Sequence, residues 1–124
     1  MTDPLGVVRR ICLSLPEVEE RPSHGHPAWF VEGGRQFATF HAAHHDNRRP
    51  HLWCAAPPGA QEALVSARPE AYFRPPYVGH RGWLGVYLDA GLSERELEGL
   101  LIEAHRTACP ARLRAALEAR AGAP

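Results

Sequence analysis

Three features of this 124-residue sequence predict a single α+β domain, an antiparallel sheet with helices packed mainly on one face. The run WLGVYLD at residues 83–89 sets an aliphatic row (Leu84, Val86, Leu88) against Trp83, Gly85 and Tyr87, which is strand periodicity. Candidate strands at 28–32 and 36–42 flank Gly33-Gly34-Arg35, a hairpin signal. Near both ends, apolar residues recur at three- and four-residue spacing, as amphipathic helices require.

Taken in order, Asp3-Pro4 reads as an N-cap followed by the proline that suits a first helical position. Leu5, Val8, Cys12 and Leu15 give that helix its stripe, and Pro16 stops it. The next stretch, EVEERPSHGHP, is polar and broken by proline and glycine, so a surface loop is expected. In the hairpin, alternation puts Phe37 and Thr39 on one face and Ala38 and Phe40 on the other. After the loop HHDNRRP, a third strand over 51–56 sets Leu52 and Cys54 against His51, Trp53 and Ala55. Pro58 opens a short helix over 59–67, with Ala60, Ala63 and Leu64 facing inward.

The most aromatic stretch, residues 72–89, leads into the central strand. Pro75 and Pro76 keep the approach extended, and Gly79 and Gly82 bracket His80-Arg81 in a tight turn. The aliphatic row of the strand is the expected core face, so the rings opposite need a packed element or a ligand. Ser93 and Glu96 form a capping box before Leu97, Leu100, Leu101 and Ala104. Pro110 then separates a second helical run over 111–121, anchored by Leu113 and Leu117.

Fourteen arginines balance fourteen acids, and lysine is absent. Such neutrality gives no long-range attraction for an anionic partner. Locally the balance differs: residues 21–81 hold seven arginines against Glu32, Asp46, Glu62 and Glu70. No stretch approaches the roughly twenty apolar residues of a membrane span. The amino terminus has neither an apolar signal core nor an Arg-rich transit character, so the expected location is cytoplasmic and the expected partners exclude a membrane. A monomer is favoured.

Catalytic and metal chemistry find little footing. His24 and His26 alternate, and His41, His44 and His45 cluster, yet no H-E-x-x-H occurs. The histidines are expected in loops, turns and at the surface, with no metal and no other cofactor. Cys12, Cys54 and Cys109 lack C-x-x-C spacing and are expected as buried thiols. No G-x-S-x-G elbow or phosphate loop is present, and Glu17, Glu19 and Glu20 lack apolar surroundings that would raise a pKa. No enzymatic activity is expected. The pattern with most chemical content is cationic: Arg35 on the hairpin, Arg48 and Arg49 on one loop, Arg74 and Arg81 in the aromatic stretch. Beside Trp53, Tyr77 and Trp83, they suit phosphate clamping with rings that stack or wedge.

Three segments resemble the YjbR/MmcQ family: HGHPAWFVEGGRQFATF at 24–40, PPYVGHRGWLGVYLD at 75–89 and LSERELEGLLIEAH at 92–105. The resemblance covers about residues 5–109. It implies a compact α+β domain over 1–124 with secretion-chaperone-like topology, and a non-catalytic DNA-binding role. The family positions Gly25, Pro27, Gly34, Phe37, Ala38, Gly82 and Trp83 are expected to be structural. The sequence departs from the family at Arg35, where lysine is common, and at His80-Arg81-Gly82. The resulting expectation is weak, non-specific DNA binding through Arg35, Arg48, Arg49, Arg74 and Arg81. The alternative is a protein-interaction or chaperone-like module with a protein partner.

Overall fold

The structure, a computed structural model, describes residues 2–42 and 49–121. Helix α1 (Pro4–Ser14) is followed by strands β1 (Val18–Ser23), β2 (His26–Val31), β3 (Arg35–His41) and β4 (His51–Cys54). Then come α2 (Ala60–Ala67), β5 (Tyr72–Phe73), a 3-10 turn (Gly79–Arg81), β6 (Leu84–Tyr87), α3 (Glu94–Ala108) and α4 (Ala111–Ala121). Among the described residues the strands form one antiparallel sheet in the order β1-β2-β3-β4-β6-β5. The α+β class is as the sequence predicts.

Local signals account for most boundaries. Asp3 caps α1 by accepting from the Gly6 N–H at 3.2 Å, and Pro4 opens the helix. Ser93 Oγ accepts from the Glu96 N–H at 3.1 Å. The other half of the capping box does not close, because the Glu96 carboxylate reaches Arg68 at 3.2 Å instead. The β2–β3 turn is 32–34, and Arg35 is the first residue of β3, paired with Val31.

The segment read as a loop between α1 and β2 is strand β1. It pairs with β2 through all six residues, and His24-Gly25 make a two-residue turn with φ of 51° and 81°. Positive φ at both central positions matches the twist of the flanking strands. Proline and charge hid this strand, yet both are tolerated on a sheet edge, where β1 lies. Pro22 sits opposite Pro27.

The helices cover one face of the sheet. Trp29, Ala38, Leu52 and Val86 are fully buried there, with Cys54 and Leu84 at 1% exposure. Leu97, Leu101 and Ala104 of α3 close over them. Strict alternation would place Phe37 on the opposite face with Thr39. A register shift between Trp29 and Phe30 sets Phe37 as an extra residue in β3, and its ring meets His105 of α3 edge-on at 5.5 Å. Gln36 consequently joins Phe30 and Thr39 on the uncovered face and donates to Thr39 Oγ1.

A part-buried ion pair ties α1 to the sheet. Arg9 donates from Nε and Nη2 to Glu20 at 2.9 Å each, and Trp29 Nε1 donates to Glu20 at 3.0 Å. The Arg9 hydrogen bonds hold the Glu20 carboxyl below its ordinary value of 4.5, partial burial opposes them, and Trp29 adds to the depression. A carboxylate lowered in the fold contributes stability that is complete above 4.5 and is lost as pH falls through the lowered value.

Two outcomes follow for stability. Val86 is fully buried on the core row, so Val86→Asp should cost at least about 4 kcal/mol and leave no cooperative thermal melt. Glu20→Gln should lower Tm most near neutral pH. The gap to wild type should shrink on acidification below 4.5 in melts run as a pH series.

Candidate functional site

On the uncovered face, alternate residues of four strands form a floor of rings and small polar groups. The rows are set by register: His26 lies beside His41, Ala28 beside Thr39 and Trp53, and His51 beside Tyr87. Phe73 of β5 lies across Gly85, where any side chain would collide with its ring. That contact explains a glycine inside β6.

The histidines on this floor correct the expectation of loop and surface positions. His41 and His51 are 5% and 4% exposed, and their rings stack at 4.9 Å with planes 6° apart. His26 packs on His41 at 4.3 Å, and Trp53 meets His41 at 4.0 Å. His51 Nδ1 lies 2.9 Å from the Arg49 carbonyl oxygen. Among the described residues no three His, Cys, Asp or Glu side chains converge as metal ligands. His44 and His45 lie outside the described residues. The thiols also stay away from this face: all three are buried, and burial pushes Cys54 up to about 12.

A groove of about 1030 Å³ runs over this floor. Its walls include Arg35, Arg81, His24 and Phe30, and its floor includes His41 and Trp53. Tyr77, Val78 and Trp83 close one side, and among the described residues no Asp or Glu lines it. Strands β3 and β6 both run antiparallel to β4, so they start at the same end of the sheet. Arg35 and Arg81 precede Ala38 and Leu84, which pair with Cys54 from opposite sides of β4.

The five arginines singled out in the sequence do not share one environment. Arg35 and Arg81 are exposed, line the groove and meet no carboxylate among the described residues. The Arg81 guanidinium lies 5.4 Å from the Trp83 ring centroid. Arg74 is exposed but outside the groove, its stem packed where a Gly79 Cβ would come within 2.7 Å. Arg49 pairs with Asp89 at 2.7 Å and lies 3.7 Å over the Tyr87 ring, so its charge is already offset. Arg48 lies outside the described residues.

The residues expected to be structural take turn, strand and core positions. Gly25, Gly34 and Gly82 have φ of 81°, 85° and 82°. Pro27 lies in β2, Phe37 is fully buried and Trp83 is 6% exposed.

One supporting residue escaped the sequence reading. The inward face of α2 was expected to be Ala60, Ala63 and Leu64, yet its buried residue is Gln61, 3% exposed. Gln61 Nε2 donates to the Gly79 carbonyl at 2.9 Å and also to the Trp83 carbonyl. It therefore pins both ends of the turn that carries Arg81. Its only sequence signal is a polar residue between alanines on a short helix, which reads equally well as solvent-facing.

A family model described as YjbR matches residues 13–107. The chain belongs to the YjbR family. In fold the YjbR chain is similar to Deinococcus radiodurans protein DR2400, a crystal structure carrying the DUF419 domain, with TM-score 0.76 and 20% identity. The alignment covers 100% of this chain and 94% of that one, and at this identity the likeness concerns the fold. No curated protein matches.

The Gln61 clamp can be tested directly. Gln61→Leu strands two carbonyl acceptors and should cost about 1–3 kcal/mol in urea unfolding. Amide hydrogen exchange should rise across 77–83 more than in β3 or α3.

Proposed function

We propose that this YjbR domain binds nucleic acid weakly and without base-specific readout, using the groove on the uncovered sheet face. The supporting observation is the composition of that groove: several rings and two arginines, with no carboxylate partner and no acid in the lining among the described residues. Guanidinium groups of this kind suit phosphate oxygens, which a planar, permanently charged donor engages in pairs. Phosphate contacts set position and supply affinity but carry no sequence information. Because the whole chain is neutral, long-range steering is small and the expected affinity is modest.

Binding is proposed here without chemistry. The histidines on the floor stack on one another rather than on a nucleophile, and the thiols are in the core. The protein-partner alternative has less to stand on. The large apolar side chains exposed among the described residues are Leu13 on α1, Tyr77 before the 3-10 turn and Ile102 on α3. They sit on separate elements.

Fluorescence anisotropy with labelled oligonucleotides tests the reading. Wild type should bind at micromolar protein and low salt. Arg35→Ala with Arg81→Ala should weaken every sequence about equally and flatten the log–log salt slope by roughly 1.4 to 1.8. Arg74→Ala should change little. Absence of wild-type binding at low salt, or an unchanged double variant, overturns the proposal.

A further inference from the structure

We infer that the nucleic acid this groove takes is a single strand, with unpaired bases stacked on Tyr77 and along the ring-lined floor; this rests on the nucleic-acid reading above. Tyr77 is the main observation. Its side chain is 85% exposed, and its backbone has φ of 65°, in the left-handed region. The Val78 N–H donates to the Pro76 carbonyl at 2.6 Å, closing a three-residue turn with Tyr77 at its apex. Such turns are rare and strained, and nothing in the packing of the exposed ring offsets that strain. The loop is fixed on both sides, by buried Pro75 before it and by the Gln61 clamp on Gly79 after it. A rigid loop thus holds a ring outward, 6.5 Å from Trp53 in the floor.

The rest of the groove favours a strand over a compact ligand. From Arg35 to His41 the groove follows β3, a distance of roughly 20 Å at the rise of an extended chain. A length of that order accommodates a few nucleotides. At the cationic end, β3 and β6 flank β4, so their backbones lie about 10 Å apart. Arg35 and Arg81 can therefore meet different phosphates of one backbone. A duplex is a poor fit for these rings. Paired bases stack on each other and show only their edges, whereas a sheet-borne ring needs a free base face.

The experiment compares three labelled probes of about 12 nucleotides: oligothymidylate, oligouridylate and a DNA duplex. Both single strands should bind at least about tenfold more tightly than the duplex at low salt. Tyr77→Ala should weaken single-strand binding by about tenfold, Tyr77→Phe should restore it, and duplex binding should not change. The exposed position of Tyr77 predicts a wild-type melting curve for both variants, which separates lost stacking from lost fold. Trp53 is the partly exposed tryptophan, beside buried Trp29 and Trp83, so single strands should quench intrinsic fluorescence. Duplex binding equal to or tighter than single-strand binding, or an unaffected Tyr77→Ala, overturns the inference. If Arg35→Ala with Arg81→Ala still loses binding in that case, the general nucleic-acid reading survives. If no probe binds wild type, both fall.

Discussion

Leu97, Leu101 and Ala104 of α3 have no exposed surface, and neither do Phe37, Leu52 and Val86 beneath them. This one packed layer fixes the rest of the molecule. Because α3 lies on β3 and β4, the register of those strands decides which side chains are buried and which face the groove. A one-residue slip would exchange Leu52 and Cys54 for His51 and Trp53. The bulge at Phe37 serves the same layer, turning one more ring under α3 and leaving Gln36 on the other side. Cys12 and Cys54 are buried in this core, and that burial pushes both thiols above their ordinary value.

What the sequence made legible was periodicity, and what it concealed was context. Leu84, Val86 and Leu88 alternate plainly, and all are at 2% exposure or less. The helix caps at Asp3 and Ser93 announce themselves through local chemistry, and the structure has both. Strand β1 could not be read this way, because an edge strand accepts the charges and prolines that argue against a central one. Phe37 escaped for a related reason: a bulge breaks the period of two, and no residue at that position signals it. The sequence puts His41 and His51 at strand ends beside a polar loop, a position that suggests exposure. Only the pairing of β3 with β4 stacks them. For the candidate site, Arg35, Arg81 and Tyr77 were in view from the sequence, but their convergence depends on strand order that no local pattern carries.

Electrostatics then sort the arginines by environment. Arg9, Arg10, Arg49, Arg68 and Arg106 all reach carboxylates within 3.2 Å. Most of these pairs are exposed and worth little to stability, since water and salt screen them. Their effect on the surface is larger than their effect on the fold, because each cancels a charge that could otherwise attract an anion. Arg35 and Arg81 keep theirs beside a ring-lined floor. A chain that is neutral overall therefore has a local cationic end, and its reach is limited to about a Debye length.

The aromatic stretch before β6 shows how such a surface is maintained against local preference. Tyr77 sits in a backbone region costly for a bulky residue, by about 1–3 kcal/mol. The Trp53 Nε1–H, buried in the adjoining floor, meets no acceptor among the described residues, which adds a cost of about the same size. The loop holds its course because Gln61 reaches across from α2 and because Phe73 presses on Gly85 from β5. These are tertiary contacts, available only once the sheet and helices have assembled. The groove is thus a product of the complete fold, and its shape rests on the same packed layer that buries the opposite face.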